Sequence, residues 1–244
     1  MTRRAKLAVA LATVVGLAGC KGGPDFGLPR GATTQGKAIF SLWQGLVITA
    51  LAVGAIVWAL IFFVVIRYRR RRNGDAAEPS QRQYIIWLEI AYTLLPLLIV
   101  AVLFYFTVET QTEVTRISAH PSVRVEVTAF QWGWRFHYVD TNITVTTQGE
   151  DRPVLMLPEG KTTRITLIAT DVIHNFFVPG FLYKRDAIPG LVNNFDLTPT
   201  RTGTFLGRCA EFCGLRHSQM LFDVKVVAPD AYQQWLTSQG APPP

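Results

Sequence analysis

The sequence predicts a two-helix transmembrane hairpin followed by an all-β sandwich or barrel. Three observations carry this. Two apolar runs, Leu46–Ile66 and Ile85–Val108, are each long enough to cross a bilayer. From Val123 onward the apolar period drops to two, and Pro and Gly mark turns between short runs. The charge is unevenly placed: net charge is +7, yet 12 of the 24 Lys and Arg and only 4 of the 17 Asp and Glu fall in the first 108 residues. A basic excess beside apolar runs marks membrane topology and argues against a phosphate-binding face, so no nucleic acid is expected.

Each element follows in order. Residues 1–19 read as a signal peptide: Arg3, Arg4 and Lys6 form a positive start, and Leu7–Leu17 is an apolar run too short to span. It ends in Leu17-Ala18-Gly19-Cys20, which resembles a bacterial lipobox, making Cys20 the lipidated first residue of the mature chain; an ordinary cleaved signal is the alternative. Residues 20–45 are then an extracytoplasmic segment and 46–66 the first transmembrane helix. The loop 67–84 opens with RYRRRR, a positive-inside anchor that fixes it in the cytoplasm. The second transmembrane helix, 85–108, contains Pro96, tolerable where neighbours satisfy the freed carbonyl. It also contains Glu89, an ionisable group in a span that either snorkels or serves a proton relay. The topology places a multi-pass chain in a bacterial cell membrane with everything after Glu109 outside.

Residues 109–230 read as one β domain. VRVEVTAFQWGWRFHYV alternates as a half-buried strand does, RPVLMLPEGKTTRITLIAT is strand, turn and strand, and two further runs repeat the pattern. About 135 residues suffice for one such core. Residues 231–244 hold a short surface helix and a tail.

The chemistry is concentrated in GRCAEFCGLRHSQM, residues 207–220. An extracytoplasmic protein permits a disulfide between Cys209 and Cys213, but a disulfide needs neither His217 nor Met220. Zinc takes two Cys and two His and has little use for a thioether. A mononuclear blue copper uses one Cys, two His and an axial Met, leaving one thiolate over. A dinuclear copper site uses both thiolates as bridges, with one imidazole per copper and weak outer ligands. Soft sulfur plus imidazole favours copper over zinc. The second imidazole is best sought in DVIHNFFVPG, where His174 stands between a strand end and a Pro-Gly turn.

VIHNFFVPG, YKRDAIPG and GRCAEFCGLRHSQM, behind a two-helix hairpin, resemble subunit II of the haem-copper cytochrome c oxidases over about residues 40–235. The resemblance implies a cupredoxin-like Greek-key sandwich and a dinuclear CuA centre of two copper ions. Its ligands would be His174, Cys209, Cys213, His217 and Met220, with the backbone carbonyl of Glu211. It also implies a magnesium ion shared with subunit I, held by the Glu211 side chain with Asp186 nearby. QWGWRF resembles the family's aromatic electron-accepting strand, so Trp132 would take in electrons, while Trp134, Phe136 and Tyr138 read as core. Glu89 and Pro96 match the family's second helix, where the Glu stands at the mouth of a proton channel. The implied role is to accept electrons from cytochrome c and pass them to haem in the catalytic subunit, where oxygen is reduced to water and protons are pumped. Haem would lie only in that partner, and subunits I and III would be the companions. No C-x-x-C-H occurs, so no covalent haem c is expected on this chain.

One departure bears on the donor. The segment after the Trp pair, RFHYVDTNITV, has Asp140 as its one acidic residue, with Asp171 a further candidate, so steering of a basic soluble cytochrome is weak. A membrane-held cytochrome c, such as one within the cytochrome bc complex, is the expected alternative donor. Quinol oxidase subunit II lacks the copper ligands present here; the CuA-bearing subunit of a nitric oxide reductase and a disulfide-bonded lipoprotein binding module are further readings.

Overall fold

The computed structural model describes residues 25–69 and 81–240. The signal segment, Cys20, most of the basic loop and the last four residues lie outside the described residues.

Two long helices, α1 (Thr34–Arg67) and α2 (Ile86–Thr115), form the expected hairpin and contact each other. Their most apolar 18-residue windows have mean hydropathy 2.7 and 2.2, and none of either window is buried. Bare apolar surface of that extent is untenable in water and natural in lipid. Both helices outrun the apolar runs at their outer ends. Thr33 caps α1, its Oγ1 accepting from Gly36 N at 2.9 Å. In α2 the hydroxyls of Thr107 and Thr112 bond back to carbonyls one turn earlier, so polar groups are satisfied within the helix.

The remainder is a sandwich of two five-stranded sheets, as the cupredoxin-like expectation requires. One has the order β3-β2-β1-β5-β8, the other β4-β10-β9-β6-β7. In sequence they are β1 (Val123–Phe130), β2 (Gly133–Tyr138), β3 (Ile143–Thr146), β4 (Val154–Pro158), β5 (Thr163–Ala169), β6 (His174–Val178), β7 (Tyr183–Ala187), β8 (Asn193–Leu197), β9 (Gly203–Cys209) and β10 (Leu221–Val227). β1–β5 and β4–β10 pair parallel, the other neighbours antiparallel. The inward positions of both sheets form one core, including Val127, Trp134, Phe136, Ile165, Leu167, Leu155, Phe176 and Phe222, all 0% exposed. The short helix α3 (Pro229–Ser238) closes one end, with Trp235 against Tyr138.

The run read as one alternating stretch from Val123 is in fact a hairpin. The chain reverses at Gln131–Trp132, pairing Phe130 with Gly133. Gly133 is required there, since a Cβ would stand 2.7 Å from the Thr147 hydroxyl. Alternation continues through the turn, so the period alone hides it. The reversal lifts Trp132 off the sheet to the end where the metal loops converge.

The segment before α1 is tied to the sandwich. Ala32 N donates to Gly180 O (2.9 Å), Thr200 N to Ala32 O (2.8 Å) and Thr34 N to Thr198 O (3.0 Å). The exit of α2 is held too: Ser118 N donates to Asp196 Oδ2 at 2.6 Å, Arg164 to Ser118 O at 2.6 Å, and Arg164 pairs with the buried Asp196.

Candidate metal centre

His174 is the first residue of β6, Cys209 the last of β9, and Cys213, His217 and Met220 lie on the loop between β9 and β10. Antiparallel pairing of β6 with β9, Phe176 opposite Cys209, brings the early imidazole to the later thiols. The Cys loop turns at Gly214, with φ +115, where a Cβ would sit 3.2 Å from Gln131 and from the Trp132 ring.

The donors converge. Cys209 Sγ and Cys213 Sγ lie 3.8 Å apart and are not joined in a disulfide. Cys209 Sγ is 3.9 Å from His174 Nδ1 and 3.2 Å from Glu211 O. Cys213 Sγ is 3.5 Å from His217 Nδ1 and 3.8 Å from Met220 Sδ. The ligand atoms of His174, Cys209 and Cys213 all lie within 4.8 Å of one another, and all three residues are buried. Each imidazole approaches a different sulfur. Two imidazoles, two thiols, a thioether and a carbonyl exceed the four places of one tetrahedral soft ion and suit two ions sharing the sulfur pair.

The electrostatics divide the donors: Cys209 is eased toward the thiolate, while Cys213 and His174 hold their protons more tightly. Burial works against charge on Cys209, but its bond to His174 and the backbone of Asn175 and Glu211 outweigh that and lower its pKa. Burial and then the adjoining Cys209 charge push the Cys213 thiol up. Burial likewise works against a charged His174, yet the Cys209 sulfur and the Asp171 carboxylate prevail and raise its pKa.

A buried aromatic floor lies beneath. Trp134 Nε1 donates to Met220 O at 3.3 Å, the Trp134 and Phe222 rings are 5.0 Å apart, and Phe176 stacks on Phe222 at 4.9 Å. Gly207 makes room for it: a Cβ there would meet the Phe222 ring at 2.1 Å. The sequence reading did not single out this role for Gly207.

The turn residues reach the same loop. Trp132 Nε1 donates to Cys213 O at 3.1 Å, and Gln131 Nε2 to the same oxygen at 2.8 Å. The outer face of the Cys loop is apolar, with Phe212 79% and Leu215 89% exposed. A cleft of about 390 Å³ beside Trp132 is lined by Glu150 and Asp151 and also by Arg152 and Arg216. Asp140 is not there: it pairs with Arg124 at the opposite end of β2.

Asp186 accepts from Asn175 Nδ2 at 2.5 Å, and Ala210 N donates to Asn175 O at 3.2 Å. Asn175 thus stands between Asp186 and the residue before Glu211; both carboxylates are exposed. Glu89 sits in the first turn of α2, remote in sequence from this cluster.

Residues 142–227 match the family described as cytochrome c oxidase subunit II, periplasmic domain. A cytochrome c oxidase subunit 2 of Streptomyces avermitilis is 42% identical, covering 96% of this chain and 86% of that protein. The Mycobacterium tuberculosis H37Rv subunit 2 is 36% identical, covering 92% and 78%. The crystal structure of the periplasmic domain of cytochrome oxidase subunit II of Bradyrhizobium japonicum is similar over 51% of this chain and 97% of that one, with 28% identity and a TM-score of 0.46.

Proposed function

Because the chain belongs to the cytochrome c oxidase subunit II family, and so is a subunit of an oxidoreductase, we propose that it is the electron-accepting subunit of a respiratory oxidase and holds a dinuclear copper centre. The observation that carries this reading is the paired placement of donors: two sulfurs 3.8 Å apart, each approached by a different imidazole. Copper, when bound, supplies one-electron redox chemistry.

The chain's own residues do the rest. His174, Cys209, Cys213, His217, Met220 and the Glu211 carbonyl would hold two ions. All five of these side chains come from β-strand ends or from a loop pinned by Gly214 and the aromatic floor. Such a frame resists rearrangement when charge changes, and the buried sulfurs are kept from water. Trp132 would receive electrons from cytochrome c: its indole N–H bonds the Cys213 carbonyl, linking the surface to a ligand residue without a gap. Electrons would pass on to haem in subunit I, where oxygen reduction and proton pumping take place, with subunit III completing the complex.

Lesser assignments rest on the same reading. Glu211 and Asp186 flank Asn175 on an exposed edge and would meet magnesium together with groups of subunit I. Glu89, near the cytoplasmic end of α2, would stand at the mouth of a proton channel leading into subunit I, and Cys20 would carry lipid. The cleft by Trp132 mixes two carboxylates with two guanidinium groups, and Phe212 and Leu215 of the Cys loop are exposed. That surface steers a basic soluble protein weakly and favours a donor already held at the membrane, such as a cytochrome c of the cytochrome bc complex.

The test is copper content and EPR of the full-length chain purified with its partner subunits. Two coppers per chain in this subunit, with one unpaired electron shared equally over both, is the expected result. A chain that takes up no copper even after thiol reduction overturns it. Trp132→Ala should then slow reduction by cytochrome c at unchanged copper content.

A further inference from the structure

We propose that Asp171 is the positioning residue of the metal centre: one carboxylate that dictates which nitrogen of His174 faces the cysteines and ties that ligand to the turn carrying Trp132. The inference rests on the copper reading above.

Asp171 precedes β6 and folds back on its own loop, its Oδ1 accepting from Val172 N at 2.7 Å. The same oxygen lies 2.8 Å from His174 Nε2. Oδ2 accepts from Gln131 N at 2.6 Å, across from the β1–β2 turn. A carboxylate accepts only, so the Nε2 position must carry the imidazole proton. A neutral imidazole has one N–H, which leaves the Nδ1 lone pair directed at Cys209, 3.9 Å away. His174 is 0% exposed, so no solvent competes for either nitrogen.

The second arm closes a circuit. Gln131, held through its backbone by Asp171, uses its side chain to bond Cys213 O, and Trp132 bonds the same oxygen. Start of β6, turn and Cys loop are thereby joined through one side chain of the turn and one carboxylate. Hydrogen-bonded partners of ligating imidazoles set ring orientation and basicity, typically worth 10–100-fold in metal affinity. The carboxylate also places a negative charge beside a ligand, which disfavours the reduced centre. Asp171 keeps its side chain 29% exposed, but its oxygens are engaged by Val172 N, Gln131 N and His174 Nε2, so it is not the free surface acid that donor steering would use.

The experiment compares wild type, Asp171→Ala and Asp171→Asn as full-length chain in the assembled oxidase. Copper affinity is read by chelator competition, together with midpoint potential, EPR hyperfine pattern and thermal midpoint. Asp171→Ala should lose about 10–100-fold in copper affinity and show a raised potential and altered hyperfine pattern. Asp171→Asn keeps the volume but has one acceptor for three donors; it should lose less affinity and still raise the potential. Wild-type affinity, potential and EPR in both variants, with only a lowered thermal midpoint, overturns the inference and leaves Asp171 as a loop cap. That outcome with a copper-binding wild type spares the copper reading; a wild type that binds no copper overturns both.

Discussion

A thiol must shed its proton before it can hold a metal, and the two thiols here differ in how readily they do so. Cys209 is eased toward the thiolate by His174, while Cys213 is pushed the other way by burial and by Cys209 itself. Copper loading at neutral pH should therefore displace a proton from Cys213. The sign follows: a raised pKa means the proton competes more strongly as pH falls, so affinity drops toward acid. The expected slope is roughly tenfold per pH unit for each proton displaced, read by chelator competition between about pH 6 and 8. Cys213→Ser should abolish stable loading and leave the fold, since the hydroxyl replaces the thiol volume; copper content and circular dichroism check the two halves separately. A copper content that is flat across that pH range would contradict the assignment of Cys213 as a ligand.

The strands supply positions that no single residue could hold. Gly207 on β9 lies under the Phe222 ring, and Gly207→Ala must displace an aromatic packed on Phe176 and Trp134. The cost of such overpacking is about 1–3 kcal/mol, measured as a lower thermal midpoint of the metal-free chain. Loosened copper binding should accompany it, because Cys209 is two residues away on the same strand. Tyr138 makes a contrasting case at the far end of β2. Its hydroxyl accepts from Met156 N at 2.7 Å and donates to Met156 O at 3.0 Å, joining the two sheets. Tyr138→Phe leaves both backbone groups buried and unpaired, about 1–3 kcal/mol less stable, with the copper spectrum unchanged. The donor residues were legible in the sequence because soft ligand types at short spacing mean something before any fold is known. Trp134 and Phe136 were legible as core from their alternation. The Gln131–Trp132 reversal was not, because a two-residue turn preserves the alternating period. Nor was the Asp171 circuit, whose bond to Gln131 depends on strand pairing between β1 and β5. Asp140, eight residues after Trp132, is carried by the run of β2 to the end of the strand away from it, where it pairs with Arg124.

The molecule as a whole is joined at two places between its membrane and outer parts. The residues before α1 showed no pattern that announced their bonding to Gly180, Thr198 and Thr200, since backbone pairing of an irregular segment leaves no periodic trace. After α2, Arg164 and Asp196 grip Ser118, with the Asp196 side chain 2% exposed. Asp196→Asn strands a half-buried guanidinium, and loss of one partner from such a pair costs about 3–5 kcal/mol. The expected readouts are a lower thermal midpoint and new protease cleavage in residues 116–122, with copper EPR intact in the folded fraction. These two ties have a mechanical meaning. A single attachment would let the sandwich swing on its tether; attachments at both legs turn it into a trestle. The first leg meets the sandwich where Gly36 abuts the Phe181 carbonyl so closely that a Cβ would stand 2.3 Å away. The height of the sulfur pair over the lipid is then set when the chain folds, and any partner beneath it faces a fixed span and not a fluctuating one.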